Sequence, residues 1–333
     1  MSLLASTNNE TQRCTISKKG VYFTFFWVLL IIQYTSIHGL KLASWRGPSS
    51  FLLGDVPVER EGHGMAEAFG KLFVFGGAGR SSEVMNDLHQ FDPSTLAWTD
   101  LTSIHGEDCD PTPQPRQEFG FAASGDNLYV FGGRGKEGLL GDLHRYDPSA
   151  LVWRALSAPG SSPPPRYGHG LAAAGDRLFV FGGMGESGLL NDLYTLDLEA
   201  PLEWTLLDSN SVAGTAPSPR KSLGFAAVGG RLYVFGGDTR SSEGSSASEL
   251  YEYDPTNRRW LVLGASYVTG NPPSARYGHG FAALDGELYV FGGTGFPGGI
   301  GPVGGGAIAA RSDLHKFNPK FMNWVQIKSI VND

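Results

Sequence analysis

Cysteine is almost missing from the 333 residues. Cys14 lies near the N-terminus and Cys109 stands alone in the rest of the chain, so no disulfide framework staples the fold and the redox compartment is left open. Charge is also sparse: charged residues are 18% of the chain and the formal net charge is -7. The first 40 residues carry Arg13, Lys18 and Lys19 against Glu10, a local +2 that leaves -9 for the remainder. That balance argues against nucleic acid, which is held by clustered Lys and Arg. No phosphate loop or nucleophile motif is present, and no helical periodicity runs through residues 45 to 333. The single Asn-x-Ser/Thr sequon, Asn9-Glu10-Thr11, precedes the one long apolar run.

That run follows a polar tail, residues 1–20. Lys18 and Lys19 precede Val21 to Ile32, and no charge appears again until Lys41. As a helix at about 1.5 Å per residue, the uncharged stretch spans roughly 31 Å, close to a bilayer's hydrocarbon thickness. Residues 21–40 are expected to be a single-pass signal anchor with its N-terminus on the cytoplasmic side, making the protein membrane-bound. A cleavable signal, giving a secreted protein, is the alternative, because the strongly apolar part has the length of a signal-peptide core. If the segment is foreign to the mature protein, the chain is cytoplasmic.

What the chain has in excess is glycine, with 47 residues. Pairs of it close an apolar run that recurs five times: Leu72 to Phe75 before Gly76-Gly77, Leu128 to Phe131 before Gly132-Gly133, Leu178 to Phe181 before Gly182-Gly183, Leu232 to Phe235 before Gly236-Gly237, and Leu288 to Phe291 before Gly292-Gly293. The pairs are 50 to 56 residues apart. A fixed period of this size means one supersecondary unit used repeatedly, each copy burying its faces against its neighbours.

Each unit opens with an arginine (Arg60, Arg116, Arg166, Arg220, Arg276) and a strand rich in Gly and Ala. A short hairpin such as Gly175-Asp176 returns the chain into the apolar strand. A third strand ends at Asp-Pro or Asn-Pro in most units, and a fourth carries Trp98, Trp153, Trp204, Trp260 or Trp324. Four antiparallel strands per period describe a propeller blade. The small-residue strand belongs at the crowded axis and the strand apolar on both faces between neighbouring blades.

Arg-x-Gly-His, an apolar strand ending in Gly-Gly, an aromatic in the third strand and Trp in the fourth resemble the kelch repeat, in five copies at about 60–101, 116–156, 166–207, 220–263 and 276–327. The resemblance implies an all-β kelch-type β-propeller over residues 41–333, preceded by one N-terminal hydrophobic helix. It also implies a non-enzymatic platform for a protein partner, without naming that partner. The second and fourth units depart from the motif with Arg116-Gln117-Glu118-Phe119 and Arg220-Lys221-Ser222-Leu223.

Some kelch-fold proteins are copper oxidases with a Cys-Tyr cross-link, so a secreted or lumenal oxidase or carbohydrate-active protein is the alternative. The one cysteine available to it, Cys109, sits among acidic residues that raise a thiol pKa. His63, His169 and His279 recur at one place in three units, as a ring of imidazole ligands would. Structural hydrogen bonding between blades accounts for them, as for the arginines, so neither metal nor cofactor is assigned.

Strand alternation sends the loop between strands two and three, and the linker to the next blade, to one face. There the loops differ in every unit, whereas those opposite are short and alike. Recognition is expected on the variable face, with Arg80, Glu83, Arg134, Lys136, Glu137, Met184, Glu186, Arg240 and Phe296 as candidate contacts. The Gly-rich stretch 297–306 reads equally as an insertion without order. Trp45 precedes Arg60 by the spacing that separates the other tryptophans from the next arginine, so it reads as the fourth strand of a further blade. The ring is then five-bladed with an extra edge strand, or, as favoured here, these five units belong to a six- or seven-bladed array.

Overall fold

Twenty-six short strands and no helix occupy the described part of the chain, residues 53–103, 112–199, 201–208, 211–241, 244–295 and 309–328 of a computed structural model. The expected hydrophobic helix, Trp45, Cys109, Phe296 and the glycine-rich stretch lie outside these residues.

The strands form five blades. Blade 1 is β1 (Leu53–Gly54), β2 (Gly64–Ala68), β3 (Lys71–Ala78), β4 (Val84–Asp92) and β5 (Ala97–Asp100). Blade 2 is β6 (Gly120–Ser124), β7 (Asn127–Arg134), β8 (Leu139–Asp147) and β9 (Val152–Leu156). Blade 3 is β10 (Gly170–Ala174), β11 (Arg177–Gly185), β12 (Gly188–Asp197) and β13 (Glu203–Leu206). Blade 4 is β14 (Gly224–Val228), β15 (Arg231–Phe235), the separate hairpin β16 (Asp238–Ser241) and β17 (Gly244–Ser246), β18 (Leu250–Asp254) and β19 (Arg259–Leu263). Blade 5 is β20 (Thr269–Gly270), β21 (Gly280–Leu284), β22 (Glu287–Phe291), the hairpin β23 (Thr294–Gly295) and β24 (Ala309–Ala310), β25 (Leu314–Asn318) and β26 (Asn323–Ile327).

Within each blade the four main strands pair antiparallel in chain order. The small-residue strands β2, β6, β10, β14 and β21 are innermost, and each of the first four packs against the next in chain order. Small residues are required there: a Cβ on Gly64 would lie 2.4 Å from Phe121 Cβ, and one on Gly170 2.3 Å from Phe225 Cβ.

Alternate residues of each second strand face opposite neighbours, as the two-residue period of a strand demands. Phe73 and Phe75 join Leu128 and Val130 in one core between blades 1 and 2, and equivalent cores fill the next three interfaces. The fourth-strand tryptophans are 2–3% exposed. Each of the last four lies against the preceding blade's phenylalanine, with ring centroids 5.0 Å apart for Phe75 and Trp153 and 5.5 Å for Phe131 and Trp204.

The glycine pairs do not end the second strand in blades 1 to 3. The strand runs on to Ala78, Arg134 and Gly185, with a shift of register between Phe75 and Gly77, Phe131 and Gly133, and Phe181 and Gly183. Both glycines of each pair take positive φ, 62° at Gly132 and 104° at Gly133, which allows a bulge that a side chain would strain. In blades 4 and 5 the ladder breaks at the pair and resumes as the hairpins β16–β17 and β23–β24.

The repeat arginines are buried braces. Arg116 Nη1 donates to the Gly132 carbonyl at 2.9 Å, and its two Nη groups hold Asp142 at 2.8 and 2.7 Å. Arg60 with Asp87, Arg166 with Asp192 and Arg276 with Asp313 repeat the fork. Burial alone would raise the Asp142 carboxyl, but hydrogen bonds from Arg116 and His144 hold it far below the usual carboxylate range. In blade 4 Glu249 stands where the others carry Asp, and the Tyr251 ring lies 5.3 Å from the Arg220 guanidinium carbon.

Candidate functional site

The residue after each repeat arginine is locked by a backbone bridge to the residue that follows the glycine pair: Glu61 to Ala78, Gln117 to Arg134, Tyr167 to Met184, Lys221 to Asp238 and Tyr277 to Thr294. One residue further on, backbone hydrogen bonds pass from blade to blade around the axis. Glu118 N donates to Gly62 O, Gly168 N to Glu118 O and Ser222 N to Gly168 O, each at 2.7 Å, and Gly278 N to Ser222 O at 2.8 Å. This inner hoop requires positive φ, 63° at Gly62 and 53° at Glu118. Together the bridges and the hoop form one mouth of the central channel, on the face of the linkers and the loops between second and third strands.

Five side chains of four kinds, with tyrosine twice, therefore stand on equivalent backbone at that mouth. Lys221 Nζ lies 4.9 Å from the centroid of the Tyr167 ring and donates to its hydroxyl at 3.5 Å. Burial raises the Glu118 carboxyl above its ordinary value, opposed by the charges of Lys221 and Arg134 and reinforced by Glu61. The cluster presents two cations, two carboxylates and two tyrosines, which suits a polar peptide surface better than a single charged ion. Among the described residues no three His, Cys, Asp or Glu side chains converge as a metal site.

Of the residues singled out in the sequence, Arg134 and Met184 belong to this mouth, and both are strand residues rather than loop residues, paired with Leu139 and Leu189. Arg80 and Glu83 sit on the tight blade 1 turn, where Arg80 pairs with Glu59. Lys136, Glu137 and Glu186 are exposed at the tips of the next two hairpins. Arg240 is on β16, and Phe296 is outside the described residues. The structure adds Glu61, Gln117, Glu118, Tyr167, Lys221 and Tyr277. Their one signal in the sequence is position, directly after an invariant repeat arginine or one residue later.

The glycine pairs and tryptophans are scaffold: the Gly77, Gly133, Gly183 and Gly237 amides donate to Arg116, Arg166, Arg220 and Arg276 carbonyls of the next blade. The histidines are scaffold of a different kind from the arginines. His169 and His279 lie edge-on to Phe131 and Phe235 with centroids 5.4 Å apart, and neither ring nitrogen of His279 meets a hydrogen-bond partner. Phe119 takes the same place against Phe75 at 5.5 Å, so the position requires packing rather than hydrogen bonding or ligation.

A family profile described as the KLHDC2/KLHL20/DRC7 Kelch-repeats domain matches residues 36–237, 109–293 and 201–332. The Rab9 effector protein with kelch motifs of Rattus norvegicus is 33% identical over 252 residues, 72% of this chain and 50% of that protein. The N-(sulfonatooxy)prop-2-enimidothioate sulfolyase of Thlaspi arvense is 28% identical over 263 residues, 72% of each chain. Host cell factor 1 of Rattus norvegicus is 27% identical over 292 residues, 79% of this chain and 14% of that protein. The chain thus spans about half the length of the Rab9 effector relatives it matches.

Proposed function

This chain belongs to the kelch-repeat family of β-propellers, and from that premise we propose that it is a non-enzymatic interaction module holding a protein partner at the channel mouth. One observation carries the reading. Glu61, Gln117 and Lys221, with tyrosine at both Tyr167 and Tyr277, span anionic, neutral, cationic and aromatic side chains while their backbones make the same bridge in every blade. A scaffold that repeats beneath side chains that vary is how a recognition surface is built. The names of the Rab9 effector and host cell factor 1 relatives point the same way. Affinity capture with the intact protein, compared with a Tyr167→Ala/Lys221→Glu variant, tests it. Partners lost from the variant at unchanged folding support the reading, and an identical set of partners rejects it.

We further place the protein at a membrane through residues 21–40. Resistance to alkaline carbonate extraction, lost on deleting those residues, is the expected outcome. An enzymatic reading draws on the sulfolyase relative. It would be favoured by a metal that co-purifies in equimolar amount or by a Cys-Tyr cross-link in the intact mass.

A further inference from the structure

At one register position of every blade, a second-strand aromatic stands opposite a third-strand residue. The pairs are Phe73 with Gln90, Tyr129 with Arg145, Phe179 with Thr195, Tyr233 with Glu252, and Tyr289 with Lys316. Four of the five third-strand residues are long and polar. Glu252 shows what they do: it accepts from the Tyr233 hydroxyl at 2.9 Å and pairs with Arg231, filling the lower edge of the interface between blades 4 and 5. Thr195 is too short for that.

A cleft of about 130 Å³ remains between blades 3 and 4, on the face opposite the channel mouth described above. Phe179 and Tyr253 line it, with ring centroids 6.4 Å apart. Thr195 Oγ1 and the Tyr253 hydroxyl are buried there without a hydrogen-bond partner, and Tyr253 is 0% exposed. Burial pushes the Tyr253 phenol up to about 12, so at neutral pH it remains a hydroxyl that both donates and accepts. The lining also includes Arg177, Arg258, Asp197 and Glu203, with Arg177 Nε 3.5 Å from Asp197. Two guanidinium groups and two carboxylates cancel in charge and offer donors and acceptors together.

We propose that this cleft binds a neutral, hydroxyl-rich ligand, a small polyol or a single sugar residue. Each hydroxyl of such a ligand is donor and acceptor at once, which matches a site that mixes both kinds of group and satisfies the two orphaned hydroxyls. The carbon-bound faces of the ligand meet Phe179 and Tyr253. An ion would gain little from a lining whose charges cancel.

The test is ligand-detected NMR titration of the full chain with glycerol, glucose, galactose and mannose, their methyl glycosides, and acetate and guanidinium as charged probes. A saturable response to at least one neutral polyol is expected. Thr195→Gln, which installs the residue found at Gln90, is expected to abolish it while keeping the melting temperature at or above the parent's. Tyr253→Phe, which removes one hydroxyl and little volume, is expected to weaken it about tenfold. A methyl glycoside that binds as well as the free sugar identifies a glycan terminus as the source; binding of the free sugar alone identifies a soluble metabolite. No saturable response in the parent, a response untouched by both variants, or a response to acetate or guanidinium alone overturns the proposal.

Discussion

A Cβ placed on Gly270 would lie 2.0 Å from the carbonyl oxygen of Trp324. Gly270 belongs to a two-residue strand that runs parallel to the outer edge of blade 5, and its φ is 85°. Gly54, Gly160 and Gly214 meet Trp98, Trp204 and Trp260 in the same way, so the linker entering each of these blades straps its outer edge. Gly270→Ala combines a left-handed backbone with a clash against main chain, and a loss of about 2 kcal/mol or more is expected. Urea denaturation beside Gly264→Ala, where nothing lies within 4 Å, checks this. Equal midpoints for the two variants would show that the strap bears no load.

These glycines were present in the sequence as a regular spacing, six residues before Arg60, Arg166, Arg220 and Arg276. The spacing is hard to see because the linkers otherwise share little and Asp110 breaks the pattern in the second unit. Strand number and strand order were legible, since Gly and Ala, the apolar run and Trp each mark a distinct depth in the blade. The channel mouth was not. Tyr167 recurs only at Tyr277 and Lys221 at no other unit, and only the backbone bridge beside the repeat arginine brings them together. Thr195 shows the same limit: its shortness acquires meaning only once Phe179 stands opposite it.

The repeat histidines, His169 buried and His63 and His279 partly so, make the propeller acid-sensitive. Burial, with the charge of Arg166 or Arg276 beside it, lowers His169 and His279 from 6.5 to about 3, and burial with Arg60 lowers His63 to about 4. Well above pH 6.5 neither folded nor unfolded chain protonates them. As pH falls below 6.5 the unfolded chain binds protons that the folded one refuses, so stability falls progressively until the folded values are reached. His169→Phe and His279→Leu copy Phe119 and Leu223 of the other units. Both are expected to move the acid-unfolding midpoint to lower pH while leaving stability at pH 8 within about 1.5 kcal/mol. Acid midpoints equal to the parent's would remove the histidines as the cause.

Charge reversal at Arg134 and Lys136 probes the recognition face. Both side chains are exposed, and surface changes of this kind usually shift stability by less than about 0.5 kcal/mol. Partner capture should fall sharply while the melting temperature stays within a few degrees. Asp126→Lys, on a hairpin of the opposite face, should leave capture intact. The reverse pattern would assign binding to the hairpin face.

The last prediction concerns the return from blade 5 to blade 1. The amides of Gly77, Gly133, Gly183 and Gly237 bond to the arginine carbonyl of the next blade, and the inner hoop passes from Gly62 to Gly278 through three intermediate residues. Among the described residues no bond of either kind joins Gly293 to Arg60 or Gly62 to Gly278, and β2 and β21 are not packed as the other inner strands are. A Cβ on Gly278 would meet nothing within 4 Å, whereas one on Gly62 would be 3.2 Å from Glu118 N. The described blades therefore form an arc with one seam, and local opening should start there. Hydrogen exchange on residues 41–333 expressed alone should show the inner strands of blades 2 to 4 exchanging at the global rate. The β2 and β21 amides should exchange more than about tenfold faster, as expected when neighbouring backbone hydrogen bonds are missing. Adding a covering blade should remove that difference. Uniform protection from β2 to β21 in a cooperatively unfolding monomer would instead mean that the ring is closed by contacts from the chain itself, as a five-bladed propeller.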